Sequence, residues 1–224
     1  MSAQGLFLVR MDVAHDHEAT FNEVYDTEHV PNLAPVPGVQ RASRFQQPSP
    51  TEPRYLAAYE LDSPSVIESA AFKTAGELGR WPTAIRPHTM NRHLAHLRVG
   101  RRRQARLPAR RRTLFWVMMD IEPHREALFN DLYDNEHLPL LIKLPGAVNA
   151  VRYRTRRRRR ADATSAPMRW RTPTLPMSKL WNDTSDIGRW KPEVRPYTLQ
   201  QALHRQRAPG LKRRSPLIAA AGAA

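Results

Sequence analysis

The sequence predicts an α+β fold built from two copies of one βαββαβ unit. Three observations predict it: an internal repeat, strand-length apolar runs alternating with helical stripes, and positive charge confined to two short segments. With 224 residues, the chain is long enough for one large domain or two small ones that each bury a core.

The internal repeat sets the domain organisation. Residues 21–38 (FNEVYDTEHVPNLAPVPG) and 129–146 (FNDLYDNEHLPLLIKLPG) are identical at ten of eighteen positions, at an offset of 108. Further along, GRWPTAIRPHT at 79–89 matches GRWKPEVRPYT at 188–198, at an offset of 109. Repetition on this scale indicates a tandem duplication.

The formal charge of +15 lies in two arginine-rich stretches without acids, 98–112 with eight arginines and 152–160 with seven. The rest of the chain is therefore neutral overall, as in ordinary globular domains. We accordingly predict the following organisation: a first unit at 1–98, a basic linker at 99–112, a second unit at 113–206 and a disordered tail at 207–224.

The first copy begins with the apolar run Gly5–Val13, which has the length of a strand. Asp16 is a candidate N-cap for the helix that follows. Phe21, Val24, Tyr25, Glu28 and His29 share one helical stripe, and Pro31 is expected to end that helix. The remaining predicted elements are strands at Val39–Gln46 and Arg54–Leu61, a helix capped by Ser63 or Ser65 that runs to about Leu78, and a last strand at Ile85–Leu97.

This order predicts a ferredoxin-like arrangement, with two helices on one face of a four-stranded antiparallel sheet. The opposite face of such a sheet is apolar and uncovered. A second sheet packed face to face would hide it. Two tandem units therefore predict a pseudo-dimeric α/β barrel.

The middle of the second copy departs from this pattern at about 154–184. Pro167, Pro173 and Pro176 would interrupt a strand or a helix. We therefore expect an incomplete second unit, without its third strand and second helix and with a disordered loop at about 155–180. The segment is either read out of frame or an ordinary divergent basic loop.

The motifs of the first copy resemble those of the dimeric α/β-barrel superfamily, and in particular its EthD-like branch. The resemblance covers the whole first copy and the two ends of the second. Its members include cofactor-free oxygenases, isomerases and heme enzymes, so it implies a fold more strongly than a reaction. The residues that carry it are Phe21-Asn22, Tyr25-Asp26, Glu28-His29, Pro31, Pro37-Gly38, Arg44, RYLAAYEL at 54–61 and GRW at 79–81.

Tyr25, Asp26, Glu28 and His29 are the candidate catalytic residues. Histidine titrates near neutral pH and is the usual general base. Tyr25 and His29 are one helical turn apart and face the same way, while the two acids would orient the imidazole or raise its pKa. The alternative is structural: the tyrosine packs on the sheet, and Glu28 and His29 satisfy backbone groups where the helix ends.

Further candidates for substrate binding lie in the GRW motif at 79–81 and just after it. Arg86 would hold an anionic oxygen, Trp81 would form a wall, and His88 lies two residues after the arginine. In the alternative, the tryptophan is core, the arginine pairs with a surface acid and the histidine is solvated. The second copy offers the equivalent candidates Tyr133, His137 and Arg195.

Several classes of function are excluded or disfavoured. The chain has no cysteine, no phosphate-binding glycine loop and no nucleophile-elbow motif, so no cofactor is predicted. His15-Asp16-His17 is not repeated in the second copy, and we predict no metal site. The arginine runs lack interleaved aromatic residues, which makes nucleic acid an unlikely partner. No apolar run reaches the length of a membrane span.

We therefore expect a cytoplasmic, cofactor-independent enzyme, an oxygenase or isomerase that acts on an apolar, weakly acidic small molecule. His29 would abstract a proton and Arg86 would stabilise the resulting anion. The alternative is a ligand-binding or functionally decayed barrel without activity. Homodimer formation is left open by the sequence.

Overall fold

The computed structural model describes residues 4–46, 53–99, 113–155, 164–170 and 178–207. They form two compact units, the first ending at Arg98 and the second covering Val99–Arg207. Both units combine antiparallel strands with helices, which confirms the predicted α+β class.

The sheet of the first unit has the antiparallel order β2–β3–β1–β4. Its strands are β1 (Gly5–Val13), β2 (Val39–Gln46), β3 (Tyr55–Leu61) and β4 (Thr89–Val99). The first two match the predicted ranges. The last begins later than predicted because residues 81–88 form two helical turns instead of extended chain.

The first helix continues through Pro31, where we predicted its end. Helix α1 (Glu18–Val24) passes into a π-helical turn at Tyr25–His29 and then into α2 (Val30–Leu33). The amide of Val30 donates to the carbonyl of Tyr25, five residues back. Widening the ladder at this point lets the chain stay helical past a residue that has no N–H to donate.

The predicted caps of both helices differ from those observed. The helix α1 has no side-chain cap, and the carboxylate of Asp16 pairs instead with His17 at 3.0 Å. The second helix divides in two: Ser63 caps a short 3-10 helix at Pro64–Glu68, and Ser69 caps α3 (Ala70–Gly76).

One face of the first sheet and the helices enclose an apolar core. The helices do not extend over β4, where Leu94 is 49 % exposed although it pairs in register with the buried Val9. The core consists mainly of Val9, Met11, Phe21, Val24, Tyr25, Leu33, Val39, Tyr55, Ala57, Tyr59, Leu61, Phe72, Trp81 and Ile85.

The second unit repeats this element order. Its strands are β5 (Thr113–Ile121), β6 (Ala147–Ala150), β7 (Tyr153–Thr155), β8 (Thr164–Trp170) and β9 (Thr198–Arg207). Strand β8 pairs with β6, β7 and β5, and β5 pairs with β9. Its helices are α4 (Glu126–Leu132), a π-helical turn at Tyr133–His137, α5 (Leu138–Leu141), α6 (Lys179–Ser185) and α7 (Trp190–Glu193).

The prediction that the second unit lacks its third strand and second helix is wrong. Residues 164–170 form a strand that pairs antiparallel with β5, and Ser178 caps α6 by accepting a hydrogen bond from the amide of Trp181 at 3.1 Å. Pro167 lies inside the strand. The residues around the other two prolines, 171–177, lie outside the described residues.

Other predictions also fall outside the described residues, namely those for the linker at 100–112, the arginine run at 156–160 and the tail at 208–224. Within the part of the chain that the structure describes, no helix is both long enough and apolar enough to span a bilayer.

Candidate functional site

The π-helical turn of the first unit places His29 in an aromatic cluster between helix and sheet. Its ring lies 4.8 Å from the ring of Tyr25 and 4.5 Å from that of Trp81, with the latter tilted by 30°. The histidine is 7 % exposed. The three rings that the sequence singled out are therefore in mutual contact.

Burial lowers the pKa of His29 to about 4, and the positive charges of Arg86 and Arg92 add to this effect. The expectation that neighbouring acids raise this pKa is therefore wrong. The imidazole is uncharged at neutral pH. Its Nδ1 is buried and has no hydrogen-bond partner among the described residues.

Asp26 pairs with a buried arginine of β2, Arg44. Its Oδ1 accepts from Arg44 Nη1 at 2.5 Å, and Arg44 Nη2 donates to Asn22 Oδ1 at 2.9 Å. The guanidinium also lies 4.9 Å from the centre of the Phe21 ring and 4.7 Å from that of Tyr25. This arginine, 6 % exposed in its side chain, fastens the start of the π turn to the sheet.

Glu28 binds the loop that precedes Trp81. It accepts hydrogen bonds from the backbone amide of Arg80 at 2.8 Å and from the Nε of the same residue at 2.6 Å. The amide bond, followed by the guanidinium bond, lowers the pKa of Glu28. A Cβ on Gly79, whose φ is +72°, would lie 2.5 Å from this carboxylate. The contact thereby fixes the position of Trp81 against the histidine.

The two candidates after Trp81 lie at the rim of this cluster. Arg86 Nη2 donates to Glu77 Oε1 at 2.6 Å, and His88 stacks on His17 with ring centres 3.5 Å apart. Neither forms a described hydrogen bond with His29. The ion pair between Arg86 and the exposed Glu77 is the contact that the structural alternative predicts for this arginine.

The second unit has the same aromatic cluster. The His137 ring lies 5.1 Å from that of Tyr133 and 4.3 Å from that of Trp190. Burial lowers the pKa of His137 to about 4 and raises that of Tyr133. Arg195, the counterpart of Arg86, pairs with Asp186.

The buried arginine is also repeated, as Arg152. It pairs with Asp134 at 2.9 Å, donates to Asn130 and lies over the Phe129 and Tyr133 rings. The sequence analysis included Arg44 only as part of the resemblance. The signal for a buried pair was present, because Asn22, Asp26 and Arg44 recur together as Asn130, Asp134 and Arg152 at the constant offset of 108.

The two buried histidines do not fit the role of a heme ligand. Tyrosine and tryptophan rings lie within 5.1 Å of each imidazole, so a porphyrin could reach neither without displacing them. Across the described ranges, no three His, Cys, Asp or Glu side chains lie close enough together to hold a metal ion.

Solved structures resemble the chain along nearly its whole length. A mutant chlorite dismutase from Candidatus Nitrospira defluvii superposes with a TM-score of 0.64 at 10% identity, covering 93% of each chain. An anthrone oxidase-like protein gives a TM-score of 0.63 at 11% identity, covering 93% of this chain and 92% of its own. A candidate monooxygenase from Fusobacterium nucleatum subsp. nucleatum gives 0.61 at 12%, covering 92% and 93%.

No protein-family model and no curated protein matches the sequence. At identities this low, the structural matches establish fold and leave the reaction open. They confirm the resemblance found in the sequence. The chain has a ferredoxin-like α+β fold similar to that of these proteins.

Proposed function

We propose that the protein is a cofactor-independent oxygenase or isomerase that acts on an apolar, weakly acidic small molecule. In this proposal His29 accepts the proton that the substrate loses. One observation carries it: an uncharged, buried imidazole whose Nδ1 has no hydrogen-bond partner among the described residues. Leaving such an atom unpaired costs about 1–3 kcal/mol, which an approaching donor would recover.

A histidine of low pKa can still act as a base in this setting. Proton transfer from a neutral carbon acid or phenol creates an imidazolium and an anion side by side. The new negative charge raises the pKa of the imidazole beside it. The imidazole is ready to accept at neutral pH because burial keeps it uncharged.

Anthrone is the probe substrate that the comparisons suggest, since one structural neighbour is described as anthrone oxidase-like. Its ring CH2 would lose a proton to His29, and the resulting carbanion would react with O2 to form a peroxide anion. This anion takes the proton back from His29 and becomes a hydroperoxide, which regenerates the neutral imidazole. Loss of water then gives anthraquinone. The overall reaction, anthrone plus O2 to anthraquinone plus water, balances without a metal or an organic cofactor.

The other candidate residues have subordinate roles in this proposal. Tyr25 and Trp81 wall the substrate, while Asp26 and Glu28 hold the π turn in place through Arg44 and Arg80. The positive charge of Arg86 favours the anion, and His88 lines the rim. Tyr133, His137 and Arg195 have the corresponding places in the second unit.

We also infer that the two units arose by tandem duplication and form a pseudo-dimeric barrel, which homodimer formation would extend. The ten identities between 21–38 and 129–146 support the duplication. So does the shared element order, including the π turn at the same place in each repeat.

The second candidate function is ligand binding without catalysis. Two observations favour it. His29 is closely packed and only 7 % exposed, and the neighbouring carboxylates of Asp26 and Glu28 are each paired with an arginine. A substrate could reach Nδ1 only if Trp81 or Tyr25 moved aside.

The test is oxidation of anthrone, followed by oxygen consumption and by the absorbance of anthraquinone, with the uncatalysed rate subtracted. We expect His29→Ala to lower the rate at least a hundredfold. The paired variant is His137→Ala, in the same aromatic setting of the second unit, where Nδ1 is also buried without a partner among the described residues. A rate within twofold of native confines the reaction to the first unit, and a comparable loss shows that the second unit reacts as well. Full activity of His29→Ala removes this residue from the mechanism, and binding of anthrone without turnover by the native protein favours the second candidate.

A further inference from the structure

A strip of β4 remains open beside the helix layer of the first unit. Leu94 pairs with Val9 and His96 with Phe7, both of which belong to or pack against the helix-facing core. Strand alternation places Arg92 on the same side. Leu94 is 49 % exposed, and Arg92 and His96 are exposed too. These three residues form the β4 strip.

A bulge at the start of the strip directs Arg92. The register shifts between Arg10 and Asp12, so two residues of β4 oppose one of β1. Asn91 has a φ of 50°, the left-handed region that is costly for a residue with a side chain. The side-chain amide of Asn91 donates to Asp12 Oδ2 at 2.8 Å, and this hydrogen bond holds the bulge in place. Bulges of this kind commonly direct a side chain toward a functional site.

The guanidinium of Arg92 differs from that of Arg86 in its described contacts. It has no hydrogen bond and no ion pair among the residues that the structure describes, whereas Arg86 is paired with Glu77. The strand register sets it opposite Met11, which belongs to the same core as Tyr25 and Trp81. Its charge contributes to lowering the pKa of His29. A cation without a partner among the described residues, close to a neutral base, suits the binding of an anion that has an apolar body.

We propose that Arg92 binds the anionic oxygen of an aromatic ligand whose rings lie along Leu94 and His96. The inference deepens the proposed function, because the group that Arg92 holds would be the acidic end of the substrate. Four residues of strand span about 13 Å, which matches a three-ring aromatic with one anionic substituent. Arg92 is thus a substrate-binding residue that the sequence analysis did not identify.

The second unit has no arginine at the position that corresponds to Arg92. At the offset of 109, the position of Arg92 is occupied by Gln201, which pairs with Met119 in β5 as expected from the repeat. Among the residues that the structure describes, the charge that acts on His137 is that of Asp186, which is negative. Anion binding is therefore assigned to the first unit.

The test compares two fluorescent probes of equal size, anthracene carboxylate and the neutral hydroxymethylanthracene, by anisotropy titration of the full chain at low salt. Arg92→Gln, which installs the residue of the second unit, should weaken binding of the carboxylate about five- to tenfold. Binding of the neutral probe should change by less than about twofold. Arg92→Lys should restore part of the affinity for the carboxylate.

Arg98→Gln is the matched control, since Arg98 lies exposed on the same side of β4, about 20 Å along the strand. It should leave both affinities within about twofold. Equal loss of both probes in Arg92→Gln, or equal loss in the two glutamine variants, overturns the proposal. So does a second copy of the chain on the strip, shown by sedimentation as a dimer that Leu94→Asp dissociates and that excludes the probe.

These results are separable from those for the reaction. His29→Ala should keep its affinity for the carboxylate within about threefold while losing turnover. If the native protein never oxidises anthrone but binds the carboxylate through Arg92, the proposed reaction fails and the binding site stands. If turnover depends on His29 while Arg92→Gln binds normally, the binding site fails alone.

Discussion

The aromatic clusters of the two units are nearly identical in geometry and differ in charge. The tyrosine–histidine ring distances are 4.8 and 5.1 Å, and the histidine–tryptophan distances are 4.5 and 4.3 Å. Both histidines are buried, and burial lowers both pKa values to about 4. The two units therefore share both the ring packing and an uncharged, buried imidazole.

The rims of the clusters differ. Arg86 and Arg92 lower the pKa of His29 while Glu77 raises it, whereas among the described residues Asp186 raises the pKa of His137. Glu28 binds the Arg80 backbone and side chain at 2.8 and 2.6 Å, while Glu136 is 3.5 Å from its arginine. The two units therefore share the geometry of the cluster and differ in the charges around it, and the anion site that we propose lies at the rim of the first unit.

The largest expected effect concerns the buried arginine pairs. Asp26→Ala leaves Arg44 with Asn22 as its remaining polar partner, and we expect the first unit to lose about 2–4 kcal/mol of stability. Asp134→Ala should cost the second unit more, because Arg152 and Asp134 are the more deeply buried pair. Amide hydrogen exchange read by mass spectrometry, in increasing urea, reports on each unit separately.

The control replaces both partners of one pair, as in Asp26→Ala with Arg44→Met. Removing the unpaired charge should recover part of the loss, since a buried pair is often replaceable by apolar residues. A double variant less stable than Asp26→Ala would show that Arg44 stabilises the unit mainly through its contacts with the Phe21 and Tyr25 rings.

The buried histidines predict a loss of stability in acid. With a folded pKa of about 4 against an ordinary 6.5, each stays uncharged in the folded state while its unfolded counterpart binds a proton. Stability is therefore complete above about pH 6.5, falls as the pH is lowered toward 4, and changes no further below that. Each histidine contributes about 2–3 kcal/mol to this change between pH 7.5 and 4.5.

The measurement is the difference in pH dependence between the native protein and His29→Gln, by the same hydrogen-exchange method. The substitution should remove the acid-induced loss from the first unit and leave it in the second. If the stability of the first unit falls with pH as steeply in His29→Gln as in the native protein, then the His29 imidazole becomes protonated without unfolding. His137→Gln should give the reverse result.

Local pattern determined much of the fold in advance. The strands Gly5–Val13 and Val39–Gln46 were predictable because apolar periodicity and nearby turn residues agree. The π turn was not, because Pro31 by itself indicates a helix end. Only the hydrogen bond from the Val30 amide to the carbonyl of Tyr25, five residues back, shows that the helix continues in a wider turn. The second helix of the second unit was missed although its cap, Ser178, repeats Ser69 at the offset of 109.

For the candidate site, the sequence predicted the residues of the aromatic cluster, and it gave no signal for the proposed role of Arg92. Tyr25, His29 and Trp81 were predictable because they recur in both copies. Arg92 was not, because it does not recur and its significance depends on a bulge and on the lack of a described partner. Spatial proximity across strands, which no linear spacing encodes, accounts for this difference.

The smallest expected effect separates Gly79 from Gly188. Both have a φ of +72°, so alanine at either position costs about 1–2 kcal/mol for the left-handed backbone. At Gly79 the added Cβ would also meet the Glu28 carboxylate at 2.5 Å, whereas at Gly188 it would lie 3.5 Å from Glu136. Gly79→Ala must therefore displace Glu28 from Arg80, and we expect it to cost about 1 kcal/mol more than Gly188→Ala. In Glu28→Gln the extra cost should persist because the side chain has the same size, while in Glu28→Ala it should vanish. Equal costs for the two glycines in the native background would show that the Glu28 contact is too compliant to fix Trp81 against the histidine.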